Sequence, residues 1–397
     1  MEKLAIFGGS PVREDRIYYG RQCIGEDDIQ AVVDTLRSDY ITCGPKVAEL
    51  EKKLCGITGA KYAVMVSSGT AALHISAMAA GVKPGDEVIV SSITFAASSN
   101  CVLYCGGTPV FADIKPDTYN IDPEEIKRLI TPKTKGIIAV DFTGQAVEVD
   151  AIREICKQHN LFFIEDAAHS IGTLYNGKPV GSLADMTCFS FHPVKTVTAG
   201  EGGAVTTNDE ETYKKLLLYR SHGITRDINQ MVNKTDAKWY NEQVTLGFNY
   251  RMTDFQAALL ISQLNKLPDF KAKRKAIAEK YNEAFKDMPE IFVQKEIPES
   301  DTARHLYELR LDPEKLTCTR REFFDALYAE NTCPQVHYLP VYWHSYYESL
   351  GYKHGLCPNA EAFYENSMSI PLYPALTEKD TDDVIKAVKK VVEYYRK

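Results

Sequence analysis

No stretch of the 397-residue chain approaches the roughly eighteen apolar residues in a row that a membrane-spanning helix requires. The opening MEKLAIFGGSPVRED lacks the apolar core of a secretion signal, so neither a membrane nor export is expected. Ten cysteines are present, but no two stand as C-x-x-C. That absence removes the usual zinc and dithiol spacings and reads as reduced, buried thiols in a cytoplasmic protein. Positive charge is in deficit, with 46 Lys and Arg against 54 Asp and Glu for a net charge of −8, which argues against a general nucleic-acid binder. No G-x-G-x-x-G stands near the first strand-like run, so a nicotinamide cofactor lacks its customary cradle. Internal repeats, low-complexity stretches and a helix-turn-helix appendage are also missing.

What is present is ordinary in bulk and specific in pattern. Hydrophobic residues make up 44% and charged residues 25%, as in soluble globular proteins. The length suits two domains at roughly 150 residues each. Between residues 60 and 210, short apolar runs alternate with helical stretches. YAVMV (62–66), EVIVS (87–91), VFADI (110–114), GIIAVDF (136–142), LFFIED (161–166), MTCFSF (186–191) and GAVTTN (203–208) read as strands. TAALHISAMAAGV (70–82) reads as a helix ending at Gly81, and DPEEIKRLI (122–130) as one with an Asp cap and Pro at its first position. The alternation predicts a mainly parallel sheet wrapped by helices, with ligands at the carboxyl ends of its strands. Beyond residue 252 the style changes: TDFQAALLISQLNKL, a long charged helix to about 286, HLYELRL, a helix near 320–331, QVHY, and a closing helix from Thr377. Residues 1–252 are therefore expected to form a large domain, and 253–397 linking helices and a smaller α+β domain. Residues 223–250 read as a long polar loop.

Four features fall at the predicted strand ends. VSSGTAAL (66–73) runs a strand into a helix N-terminus whose free N–H groups suit phosphate, although a plain capped helix reads the same way. FFIEDAAHS (162–170) ends a strand in two acids, and buried Asp166 needs a cation or donor, whether a protonated ring nitrogen or a salt bridge. Ala167 and Ala168 leave room there for something flat. In SSITFAAS (91–98), Phe95 suits either stacking on a planar ring or a place in the core. In CFSFHPVKTVTAGEGGA (188–204), Lys195 lies between a buried strand and a glycine-rich turn, with the Ser190 hydroxyl five positions earlier. Loss of water around its ammonium lowers its pKa and makes it a candidate amine nucleophile. Together the four describe a planar ring with a nitrogen, a phosphate and an aldehyde, which is pyridoxal 5′-phosphate. No metal site fits them.

EDAAHS, SFHPVKTVTAGEGGA and GFNYRMTD resemble the DegT-type sugar-nucleotide aminotransferases, and the likeness runs nearly end to end, from YYGRQCIGEDDIQAVVDTL to HYLPVYWHSYY. The resemblance implies the aspartate-aminotransferase-like type I fold. Lys195 would then bond the cofactor and Asp166 would partner its pyridine nitrogen. Phe95 would cover the ring, Ala168 would lie against it and His169 beside it. Gly69, Thr70 and Ser190 would hold the phosphate. Asn249 would reach the phosphate of a second subunit, giving a homodimer with shared sites. Tyr19, Asp39, Tyr40, Ile41, Thr42, His337, Tyr338, Leu339 and Pro340 align with sugar-nucleotide contacts. FHPVK together with VHYLPVY resembles the pseudaminic acid branch of the family, which moves an amino group from L-glutamate to C4 of a UDP-linked 4-keto-6-deoxy N-acetyl sugar. A dTDP- or GDP-linked 4-keto-6-deoxyhexose is the alternative substrate, and a regulatory protein that merely senses the cofactor is the alternative class. A dehydratase branch carries His where Lys195 stands, which sets this sequence apart from it. His192, His337 and His344 suit structural and functional roles equally.

Overall fold

The alternation between residues 60 and 210 folds as one seven-stranded sheet. In the computed structural model, which describes residues 2–235 and 237–397, its strands are β1 (Tyr62–Val66), β2 (Glu87–Ser91), β3 (Thr108–Ala112), β4 (Thr134–Val140), β5 (Phe162–Asp166), β6 (Met186–Ser190) and β7 (Gly203–Thr207). They lie in the order β1-β7-β6-β5-β4-β2-β3. Strand β7 is antiparallel to both neighbours, and every other pairing is parallel. Side chains alternate between the faces: Met65, Ile89, Ile137, Phe163 and Phe189 pack in one core, and Val64, Val88, Ile138, Ile164 and Cys188 in another. Burial on both faces is why the strands read as unbroken apolar runs. Gly203 has a local cause, since a Cβ there would come 2.3 Å from the Ser68 carbonyl oxygen.

Helix α1 (Gly69–Ala79) follows β1 directly and begins with the Ser68 hydroxyl accepting the N–H of Ala71. Helices α2 (Asp254–Asn265) and α3 (Leu267–Phe285) lead to an antiparallel sheet of β8 (Ile291–Val293), β9 (Tyr307–Leu311) and β10 (Ser367–Ile370), in the order β8-β9-β10. The helices α4 (Arg320–Ala329) and α5 (Glu378–Tyr395) close a second core with them, through Phe323, Leu327, Val384, Val388 and Val391. Among its described residues, the segment expected as a long loop carries the short pairing of Ile224–Thr225 with Glu242–Gln243 and the isolated bridge of Asn249 with Ser221.

We propose two units that divide near residue 252, each lending a segment to the other. Leu4 and Ile17 are buried in the second core, and Ile17–Tyr18 pairs in parallel with Thr332–Cys333. In return Ala257, Leu260 and Leu264 of α2 pack in the core of the large sheet. This exchange clamps the second unit over the carboxyl ends of the strands.

Candidate active site

A cavity of about 590 Å³ opens at those carboxyl ends. The strands deliver their last residues or those that follow them: Ser67 to Thr70 after β1, Phe95 and Ser98 after β2, Val140 at the end of β4, Asp166 at the end of β5 with Ala168 and His169 beyond it, and Ser190 at the end of β6 with Lys195 beyond it. Tyr19, His337 and Tyr338 close the other side from the second unit. The four sequence features therefore converge on one space.

Lys195 sits in a turn fixed by its own N–H donating to the carbonyl of His192 at 2.9 Å. Burial drives its ammonium pKa down to about 8, against the opposing pull of Asp166. Asp166 is 4% exposed. Its Oδ2 accepts from Ser98 Oγ at 2.6 Å, and its Oδ1 accepts from the Ala168 N–H at 3.1 Å. Burial raises the pKa of Asp166, while those two donors and Lys195 pull it back. Two further acids are buried nearby: Asp141, whose pKa is pushed up to about 7 by burial, and Glu165, which accepts from Thr187 Oγ1 at 3.0 Å. Of the three, Asp166 alone lines the cavity.

The other end of the cavity is built for an anion. The N–H groups of Gly69 and Thr70 lie in the first turn of α1, whose dipole favours negative charge. A Cβ at residue 69 would come 2.9 Å from Ser190 Cβ, so this turn rests directly against Ser190. Phe95 is 62% exposed, an unusual state for a large ring beside a buried sheet. Its exposed face borders the same cavity as Asp166 and Ala168, and Tyr338 stands 6.3 Å away at ring centroids. These residues fit pyridoxal phosphate: the helix start and Ser190 for the phosphate, Phe95 for the ring face, Asp166 for the ring nitrogen and Lys195 for the aldehyde. His169 lies alongside, its Nε2 3.2 Å from the Tyr338 hydroxyl and its ring 4.5 Å from that of His305.

Seven of the expected contacts lie outside the cavity. Asp39, Tyr40, Ile41 and Thr42 are exposed. Asp39 and Tyr40 border a separate surface groove with Pro45 and Lys46, the Ile41 carbonyl accepts from the Asp254 N–H, and Thr42 bridges Thr253. The chain after Tyr338 turns away, with Leu339 and Pro340 leading to Val341, whose N–H donates to Ser92. Asn249 is exposed as well, although the carbonyl of its neighbour Tyr250 accepts from the N–H of Ser67 in the phosphate loop, at 2.8 Å. His192 stands at the cavity mouth, 4.0 Å from Glu201, whereas His344 lies exposed outside it. Ser98 and Glu201 escaped the sequence reading. Ser98 was visible three residues after Phe95 in SSITFAAS, but a serine among serines carries no signal for the acid it binds.

The chain matches the DegT/DnrJ/EryC1/StrS aminotransferase family over residues 22–389. It is 41% identical over 377 residues to the spore coat polysaccharide biosynthesis protein SpsC of Bacillus subtilis, covering 94% of this chain and 97% of that one. It is 38% identical over 384 residues to a UDP-4-amino-4,6-dideoxy-N-acetyl-beta-L-altrosamine transaminase of Campylobacter jejuni, covering 96% and 99%. Among solved structures, Helicobacter pylori PseC, an aminotransferase involved in the biosynthesis of pseudoaminic acid, superposes with a TM-score of 0.90 at 33% identity, covering 96% of this chain and 100% of that one. A desolvated lysine facing a buried aspartate above a helix N-terminus, with a match that spans nearly the whole chain, makes this protein an aminotransferase of the DegT/DnrJ/EryC1/StrS family.

Proposed function

We propose that the enzyme transfers an amino group from L-glutamate to C4 of a UDP-linked 4-keto-6-deoxy N-acetyl sugar, as in pseudaminic acid biosynthesis. The observation that carries the chemistry is the placement of Lys195 and Asp166 in one cavity whose far end is the start of α1. When bound, pyridoxal phosphate supplies an aldehyde for the amino group and a ring that draws electrons from the carbon being deprotonated. The protein does the rest. The N–H groups of Gly69 and Thr70 and the Ser190 hydroxyl hold the phosphate. Asp166, fixed by Ser98 and Ala168, keeps a proton on the ring nitrogen, and Phe95 shields the ring face from water. Lys195 Nζ, with its pKa lowered to about 8, would take the proton from the α-carbon of glutamate as the free amine and, as the ammonium, would deliver it to the carbon that had carried the aldehyde. Run in the opposite sense on the keto sugar, the same transfer delivers the amine to C4. Glutamate, having given up its amino group, leaves as its 2-oxo acid before the sugar enters, so ping-pong kinetics are expected.

The substrate reading is supported by the Campylobacter jejuni relative and by Tyr19, His337 and Tyr338 facing the cavity from the second unit. The Bacillus subtilis relative, at higher identity and under a different name, favours keeping another nucleotide-linked 4-keto-6-deoxyhexose as the second reading. Purified enzyme with L-glutamate and a panel of UDP-, dTDP- and GDP-linked 4-keto sugars decides between them. The UDP-linked N-acetyl sugar should be aminated fastest. A faster dTDP or GDP substrate would replace it.

Asn249 and residues Asp39 to Thr42 are exposed in one chain, and a second copy supplies the simplest use for them, in a homodimer with two composite sites. Mixing inactive Lys195→Ala and Asn249→Glu proteins under conditions that allow subunit exchange should restore part of the activity. Proven exchange without any recovery would leave each site within one chain.

A further inference from the structure

The wall contributed by the second unit holds a buried carboxyl that the reaction above does not use. Glu308 of β9 and Ser369 of β10 are paired in register, at 2% and 0% exposure. Strand alternation sends Tyr307, Leu309 and Leu311 into the second core, so Glu308 takes the opposite face, with Ser369 as its cross-strand neighbour. Gln335 exchanges backbone hydrogen bonds with Ser369 at 3.0 and 2.7 Å, which lays the segment leading to His337 along the same sheet. Three side chains are thereby linked. Ser369 Oγ hydrogen-bonds Glu308 Oε1, and His337 Nδ1 lies 2.6 Å from Ser369 Oγ. The His337 ring lines the cavity, and no protein group bonds its Nε2 among the described residues.

A carboxyl in this position is costly. Removing it from water is unfavourable, and an apolar side chain would fill the space without that penalty. Its presence has a consequence for His337 that follows from counting protons. A serine hydroxyl has one hydrogen. Glu308 accepts it at Oε1 both as the carboxylate and as the acid with its proton on Oε2, and the serine oxygen can then only accept from the imidazole. Nδ1 then carries the ring proton, and Nε2 keeps its lone pair. Burial and the charge of Lys195 hold the His337 pKa down to about 3, so the ring stays neutral and the tautomer is a real distinction.

The geometry points to Glu308 and Ser369 as positioning residues that fix His337 in its Nδ1-protonated form, so that Nε2 accepts a hydrogen bond from a hydroxyl or amide N–H of the sugar nucleotide. The inference rests on the substrate reading above and adds the direction of one bond. A site polarised in this way rejects an analogue that lacks the donor, because the buried acceptor is left unpaired.

The tautomer is read by NMR of the holoenzyme labelled with ¹⁵N-histidine, with the His337 signals assigned from His337→Gln. The wild type should show a protonated Nδ1 and an unprotonated Nε2. Ser369→Ala should lose that preference, while Glu308→Gln, whose amide oxygen still accepts from Ser369, should keep it. In steady-state assays Ser369→Ala should raise KM for the nucleotide sugar about tenfold, the scale of one buried hydrogen bond, with KM for glutamate within about twofold of wild type. A wild-type ring protonated on Nε2 would overturn the proposal. So would a Ser369→Ala protein that melts earlier but keeps the wild-type tautomer and KM. If no 4-keto sugar is turned over, the substrate reading fails by itself, and the NMR result still decides the relay.

Discussion

Each wall of the cavity sets a buried carboxyl beside a serine, and the two acids meet different partners. Asp166 receives two donors, Ser98 Oγ and the Ala168 N–H, and faces the Lys195 ammonium. Glu308 receives the Ser369 hydroxyl, its Oε2 has no partner among the described residues, and burial pushes its pKa up to about 8. Burial alone does not decide the charge of a carboxyl. The number of donors and the nearest cation do. One wall is therefore equipped to hold a negative charge against a cationic ring nitrogen, and the other to orient a neutral imidazole.

The largest effect is expected from removing the cation of the first wall. Lys195→Ala should reduce transamination by at least roughly 10³-fold, since base, acid and covalent anchor go together. Borohydride followed by peptide mapping should place the cofactor on Lys195 in the wild type alone. Appreciable turnover by the variant without added amine would end the assignment. Next comes Asp166→Asn, which keeps shape but removes charge, with an expected loss of roughly 10²–10⁴ in kcat and an unchanged far-ultraviolet spectrum. A loss below tenfold would make Asp166 a structural acid. Ser98→Ala tests the support beneath it. Losing one hydrogen bond to a charged group costs about 1.5–3 kcal/mol, or about tenfold to a hundredfold in kcat, with little change in KM for the sugar. Ser369→Ala is expected to show the reverse split, and identical splits would erase the distinction between the walls.

The smallest effects are on stability, and their signs oppose. The folded pKa of Lys195 lies near 8, below its ordinary 10.5, so the unfolded chain binds more protons between those values and stability rises with pH across that window. Apo Lys195→Met should melt higher than the apo wild type below pH 8, with the gap closing toward pH 10.5. Glu308 has a folded value near 8, above its ordinary 4.5, so its contribution is fully present below pH 4.5 and is lost as pH rises toward 8. Glu308→Gln should gain on the wild type over that range. Parallel melting curves for both pairs would show that neither group is held away from its ordinary pKa.

The first wall was legible in the sequence because each of its parts is local. A strand, a turn and a helix start lie within one short stretch, so VSSGTAAL, FFIEDAAHS and SFHPVK each announce a position as well as a residue. The register of the large sheet then brings them together, and the regular alternation of elements was enough to anticipate it. The second wall is assembled across long separations. Ser369 stands in SMSI and Glu308 in HLYELRL, and neither motif marks the other; only the pairing of β9 with β10 joins them. QVHY reads as strand-like, yet it joins β10 only through the isolated bridge of Gln335 with Ser369. Asn249 and Asp39 to Thr42 came from family likeness alone, and a single chain leaves them on its surface.

The exchange of segments between the two units also sets a schedule for synthesis. All strands of the large sheet have been made once Thr207 is reached, but Leu4 and Ile17 have no core to enter until α5 exists. Lys390 of that helix is buried and ties the segment down, donating to the Ser10 carbonyl across 380 residues and pairing with Glu330. At roughly 5–20 residues per second, the ribosome takes about twenty seconds or more to cover that distance. For that interval the apolar face around Leu4 and Ile17 stays open to chaperones and proteases, and through its later half the sheet that will bind the cofactor already has all its strands.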